Sequence, residues 1–172
     1  MIRKANMADL DRIEAIYNEI HTEIEAGRAQ IGWTRGIYPT RGVAEDSIRR
    51  REMFVMEENG SIVASARINQ YQGPEYDDAV WTFDADPDSV MVMHTLTVSP
   101  ACKGKGCGTA FEAFYADYAR KCGCSALRID TNAINLPARS LYKKLGYTEA
   151  CIVHTSFNGI DGVNLVCLDK RI

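Results

Sequence analysis

A single α/β domain is the fold the sequence predicts, on three observations. Runs rich in β-branched residues alternate with segments of helical period, one strand-to-helix passage runs through a glycine-rich turn, and no internal repeat or linker interrupts the chain. Residues 1–172 are therefore expected to form one domain, which is long enough to bury one substantial core. Hydrophobic residues make up 46% and charged residues 25%, the balance of a soluble globular protein rather than a disordered one. The net charge of -3 and the isoelectric point near 5.6 speak against nucleic acid as a partner. No window approaches the ~18 unbroken apolar residues of a membrane span, and the first residues lack a secretory apolar core. No membrane partner and a cytoplasmic location are expected.

The elements follow in order. Ile2 to Ala5 is short and suits the opening of a sheet. Asn6 then caps a helix, with Asp9 three residues on, near the positive end of the helix dipole. Leu10, Ile13, Ile16, Tyr17, Ile20 and Ile24 recur at helical spacing and predict one buried face. Gly32, Gly36 and Pro39 end that helix in a loop that holds Trp33 and Tyr38. A shorter helix is expected from Ala44 to Glu52. Phe54–Met56 and Ile62–Ile68 read as strands joined through Asn59-Gly60, a strong hairpin signal. The stretch from Gln70 to Ser89 is irregular, and Val90 to Val98 is a long strand. Phe111, Phe114, Tyr115 and Tyr118 place aromatics on one helix face, Ala126–Asp130 is a strand, and a helix from Asn135 to Leu145 stops at Gly146. Two further strands close the chain.

The most informative stretch is Lys103-Gly-Lys-Gly-Cys-Gly108, between strand and helix. Glycines bring backbone N–H groups close to an anion, the helix N-terminus adds its dipole, and Lys103 and Lys105 add positive charge. It is neither a Walker loop nor a dinucleotide fingerprint, since no Gly-Lys-Ser/Thr follows and the third position counted from Gly104 is Thr109. The six cysteines are scattered through a chain too large to need disulfides, and are expected to be free thiols. Cys122-Gly-Cys124 has one intervening residue where a zinc knuckle has two, so no metal is expected.

Val98-Ser-Pro100 followed by Lys103-x-x-Gly106-x-Gly108 resembles the pyrophosphate-binding signature of the GNAT N-acetyltransferases, with Lys103 where that family usually carries Gln or Arg. Asn135-Leu-Pro-Ala138-Arg-Ser-Leu141-Tyr142-Lys-Lys-Leu-Gly146-Tyr147 resembles a second element of the same family, in the right order. The resemblance implies a mixed sheet of about seven strands flanked by about four helices, with the fourth and fifth strands splaying apart. It implies an acetyl-coenzyme A-dependent N-acetyltransferase whose acceptor is a small-molecule primary amine, attacking directly in a ternary complex. An acyl-coenzyme A-sensing module without turnover and a protein or peptide N-acetyltransferase are the alternatives, and the resemblance admits a homodimer. Backbone groups of Leu96 and Val98 would hold the pantetheine arm. Amides of Gly104, Lys105, Gly106, Cys107, Gly108 and Thr109, with Lys103 beside them, would hold the pyrophosphate, and Asn135 would contact the cofactor from the opposite helix.

Tyr142 is the expected general acid for the leaving thiolate, because a phenol of pKa near ~10 is still protonated at neutral pH. The other reading of Tyr142 is a packed helix aromatic. His94, on strict alternation, shares a face with Leu96 and Val98, and its ordinary pKa near ~6.5 suits a base; a buried structural histidine is the alternative. Because the segment after the first helix commonly lines the acceptor pocket in that family, the resemblance implies Trp33, Arg35 and Tyr38 as acceptor-contacting residues, although the two aromatics also suit a loop pinned to the core. Between Arg67 and Lys103 lie Glu75, Asp77, Asp78, Asp84, Asp86 and Asp88 with no Lys or Arg, either a solvated loop or a field that draws cationic amines.

Overall fold

The computed structural model describes residues 1–172. Seven strands form one sheet: β1 (Ile2–Lys4), β2 (Met53–Glu58), β3 (Ser61–Asn69), β4 (Val90–Val98), β5 (Ala126–Asn132), β6 (Thr148–Phe157) and β7 (Ile160–Arg171), in the order β1-β2-β3-β4-β5-β7-β6. Every pairing is antiparallel except β4 with β5, which is parallel. Four α-helices cover it: α1 (Leu10–Glu25), α2 (Arg41–Arg49), α3 (Cys107–Lys121) and α4 (Leu136–Lys144). No helix is long and apolar enough to cross a membrane.

The local signals act where they stand. The Asn6 side chain accepts from Ala8 N–H, and Asp9 accepts from Asn6 N–H at 2.8 Å, a capping box that opens one 3₁₀ turn before α1. Arg3 of β1 grips that Asp9 carboxylate at 2.7 and 2.9 Å, fastening the helix start to the sheet edge. Asn59 and Gly60 both take positive φ, the backbone that a tight two-residue hairpin needs.

Helices α1 and α2 bury Leu10, Ile13, Ile16, Ala44 and Ile48 against Met53, Val55 and Ile62 on one face of the sheet. Helices α3 and α4 cover the other face, where Phe111, Tyr115 and Tyr142 pack on Met91, Met93, Leu127, Ile129 and Leu168. Residues 70–89, irregular in the sequence, act as a third cover. Tyr76 is buried with Val90, Val92 and Leu165, while Trp81 and Phe83 pack against that cluster. Arg128 stacks over Trp81 at 3.9 Å and Arg171 over Phe83 at 4.5 Å, so cation–π contacts hold a segment that contains no α-helix or strand.

The sheet opens in its middle. β4 and β5 pair from Val90↔Ala126 to Met93↔Ile129 and no further, although β4 runs on to Val98 and β5 to Asn132. The Tyr115 hydroxyl of α3 is shared between the carbonyls of Met91 at 2.5 Å and Arg128 at 3.0 Å, clamping the two strands just below the point where they part.

Candidate active site

A cleft of about 1270 Å³ threads this opening. It runs from the glycine-rich turn, past Leu96 and Val98 on β4 and past Thr131 and Asn132 on β5, to a deeper end lined by Tyr38, Arg67, Glu75, His94 and Asp130. The volume exceeds the few hundred to ~1,000 Å³ of an ordinary small-molecule pocket, as a long ligand together with a second reactant requires.

At the turn, Gly104 and Gly106 have φ of 79° and 84°, conformations open to glycine at little cost. The amides of Gly104, Gly106, Cys107, Gly108 and Thr109 find no acceptor within the protein, and no side chain caps α3. Five N–H donors beside a helix N-terminus make an anion-binding cradle. Lys105 departs from expectation: its amide is committed to the Cys102 carbonyl at 3.2 Å, and the residue does not line the cleft. Lys103 does line it. The Ser99 hydroxyl donates to Glu19 of α1 at 2.7 Å and fixes the start of the turn.

β4 carries a bulge where the alternation was expected to hold. Ser65 pairs with Thr97 and Arg67 with His94, so one residue of β3 stands opposite two of β4, and Thr95 takes φ of 54°. That extra residue reverses the faces. Leu96 and Val98 pack toward the α3 and α4 core, and His94 lies on the opposite face, not with them as the sequence had suggested. There His94 is buried, with Nε2 3.1 Å from Asn69 Oδ1. Burial and the neighbouring Arg67 cation push its pKa down to about 3, so it is neutral and a weak acceptor of protons.

Two residues that the sequence left unmarked stand out here. Asp130 is the first residue of β5 beyond the last β4 pair, and it accepts a hydrogen bond from the Tyr76 hydroxyl at 2.7 Å. Burial raises its pKa to about 6, with the Glu75 charge adding to the rise. Arg67 of β3 reaches the same end and has no ion-pair or hydrogen-bond partner in the protein. In the sequence Arg67 stood between Ala66 and Ile68, and Asp130 two residues after Arg128 in a strand that ends in Thr131 and Asn132, so neither was set apart from its neighbours.

Tyr142 is buried on α4, edge-on to Tyr147 with ring centroids 5.6 Å apart, and it lines the cleft. No hydrogen bond contributes to its acidity, and burial raises its pKa above the usual phenol value, so it stays protonated. Asn135 caps α4: its Oδ1 accepts from Ala138 N–H at 3.4 Å and its Nδ2 donates to Thr131 Oγ1 at 3.1 Å. One amide proton of Asn135 remains free toward the cleft.

The loop from 26 to 40 lines one side of the cleft and reaches its deeper end. The Tyr38 hydroxyl bonds Thr95 Oγ1 at the bulge, and Trp33 stands edge-on to Tyr38 at 6.0 Å. His21 Nε2 donates to the Pro39 carbonyl at 3.2 Å and holds the loop to α1. Trp33 and Tyr38 thus reach the cleft, but Arg35 does not. It is exposed and folds back against α1, where its guanidinium bonds Glu25 at 2.7 and 3.0 Å and Asn18 at 3.0 Å. Of the acidic residues between 75 and 88, Glu75 alone lines the cleft; Asp77, Asp78, Asp84, Asp86 and Asp88 are exposed.

A model of the acetyltransferase (GNAT) family matches residues 11–147. The uncharacterized N-acetyltransferase YhfO of Bacillus subtilis strain 168 is 24% identical over 86% of this chain and 89% of its own. A GNAT-family acetyltransferase from Streptococcus agalactiae 2603 superposes with a TM-score of 0.84 at 22% identity, covering 100% of this chain and 95% of that one. yncA from Salmonella typhimurium, solved with its cofactor acetyl-CoA, superposes with a TM-score of 0.71 at 22% identity, covering 99% and 92%.

Proposed function

Since the chain belongs to the GNAT family of acetyl-coenzyme A-dependent N-acetyltransferases, we propose that its acceptor is the primary amine of a small molecule, acetylated by direct attack in a ternary complex. The observation that carries this reading is the deep end of the cleft. It is lined by the loop from 26 to 40 on one side and by Tyr71 and Glu75 on the other, walls that suit a compact acceptor.

The residues present fit the cofactor. The free amides of Gly104, Gly106, Cys107, Gly108 and Thr109 suit a pyrophosphate, and the unpaired edges of β4 and β5 suit an extended amide arm. When bound, acetyl-coenzyme A supplies an activated acyl carbon and a thiolate leaving group. The backbone of Leu96 and Val98 would orient the arm. Asp130, at the foot of the opening, would take the proton that the amine loses, because a carboxylate of pKa about 6 is ionised at neutral pH and basic enough to accept it. Tyr142, protonated and with no partner of its own, would give a proton to the departing sulfur. His94 would stay neutral and hold Asn69. Trp33 and Tyr38 would shape the acceptor pocket and exclude water from it.

The test is product analysis. Protein, acetyl-coenzyme A and a panel of amino acids, polyamines, aminoglycosides and short peptides are incubated, and free thiol and acetylated product are both measured. We expect thiol release matched mole for mole by N-acetylation of a small amine. Tight binding with no transfer to any amine would make the chain a sensing module, and transfer to peptide N-termini alone would refute the small-molecule acceptor.

A further inference from the structure

Arg67 carries charge without any apparent structural use. It sits in β3 opposite His94, its Nε is sealed from solvent, and Nε has no hydrogen-bond partner. None of its other N–H groups bonds to the protein, and it belongs to none of the ion pairs. The cleft's other arginine, Arg28, is satisfied by Glu23 at 2.7 and 2.9 Å. A guanidinium that is partly buried and unpaired is costly, since buried charges are normally paired and hydrogen-bonded. The residue lines the cleft at its deep end, beside Asp130 and Tyr38, whose acidities its charge perturbs.

We propose that Arg67 is the carboxylate-recognising residue of the acceptor pocket, and that the acceptor is an amino acid-like zwitterion. This rests on the acetyltransferase reading above and names the chemical class of its small-molecule acceptor. The guanidinium offers planar N–H donors matched to a carboxylate. It stands at the level of His94, past Thr95 and at the far end of the opening from the glycine-rich turn, so the cofactor's phosphates, which have their own amide cradle, do not account for it. Asp130 supplies the complementary negative charge, and Glu75 adds to it, so the amine end of a zwitterion is drawn toward the proton acceptor while the acid end is held by Arg67. A plain polyamine would leave the arginine unpaired and bring a second cation beside it.

The experiment compares acceptor pairs that differ only in the carboxylate: an α-amino acid and the amine left by its decarboxylation, for several side chains. For the wild-type protein, kcat/KM should favour the amino acid by something like 10²-fold or more, as expected of a site built around one polar group. In Arg67→Gln that preference should collapse to near one. Arg67→Lys, which keeps the charge and loses the fork, should restore part of it, with the loss in KM more than in kcat. Binding of the amino acid to the coenzyme A-bound protein, measured by calorimetry, should weaken in step without depending on turnover. Retention of coenzyme A affinity in both variants shows that they are folded. Equal rates with amino acids and their decarboxylated amines, or a preference unchanged in Arg67→Gln, would overturn the assignment while leaving the acetyltransferase reading intact. If no amine is acetylated that reading fails, and calorimetry still decides whether Arg67 binds a carboxylate: amino-acid binding lost in Arg67→Gln supports the role, and no binding to the wild type overturns it.

Discussion

Replacing Asp130 by asparagine is expected to lower kcat/KM by about 10³-fold, within the range that positioned proton acceptors contribute, and to remove the acidic limb of the pH–rate profile. The half-buried carboxyl stands at the parting of β4 and β5 with its pKa raised to about 6, so wild-type activity should rise with pH through that value as the base form appears. Asparagine keeps the shape and still accepts the Tyr76 hydroxyl, now 2.7 Å away, but cannot take a proton. Folding should not suffer. A carboxyl whose folded pKa is raised favours the folded state below its unfolded value of 3.8 and loses that contribution as pH rises through about 6, so at pH 7 the ionised group is a cost that asparagine removes. His94→Gln is the companion measurement. With its pKa pushed down to about 3, His94 titrates below the assay range, and the limb near 6 should persist in that variant. A limb that survives Asp130→Asn and vanishes in His94→Gln would return the role to the histidine.

Tyr142→Phe is expected to slow acetyl transfer by roughly 10²-fold while leaving coenzyme A affinity nearly unchanged. The ring keeps its edge-on contact with Tyr147 and its place among Leu127, Ile129 and Leu168. No protein group is hydrogen-bonded to the hydroxyl that is lost, so no buried group is orphaned by its removal. What disappears is a donor that serves the sulfur only as negative charge develops there, and the loss should fall on kcat and kcat/KM alike. Single-turnover rates should show it as well. A wild-type single-turnover rate in the phenylalanine variant would mean that the thiolate leaves without help from Tyr142.

The parts legible in the sequence are those set by neighbours along the chain. The capping box at Asn6, the Asn59-Gly60 turn, the extent of β4 and the free amides of the glycine-rich turn, Lys105 apart, all follow from a few adjacent residues. The parts that escaped depend on partners far away. The face of His94 turned on one extra residue at Thr95, and that bulge is fixed by pairing with β3 some thirty positions earlier, where Ser65 and Arg67 meet Thr97 and His94. Arg35 looked free in its loop because its partners Asn18, Thr22 and Glu25 come together only once α1 winds them onto one side. Asp130 gained its meaning from where the β4 pairing stops, a fact about two strands that neither strand's composition records. Arg67 gained its own from the absence of a partner, which only the folded chain exhibits.

The most direct test of the account is a residue-by-residue map of where acetyl-coenzyme A lies, and at 19.2 kDa the protein suits amide NMR. Titration with coenzyme A should move the amide signals of Gly104, Gly106, Cys107, Gly108 and Thr109 and slow their hydrogen exchange, because these donors have no acceptor in the free protein. The amides of Thr95 to Val98 along the open edge of β4 should respond with them, while Lys105, already bonded to Cys102, should keep its exchange protection nearly unaltered. Perturbations confined to other parts of the surface, with the turn and the β4 edge silent, would contradict the placement of the cofactor in the opening between β4 and β5.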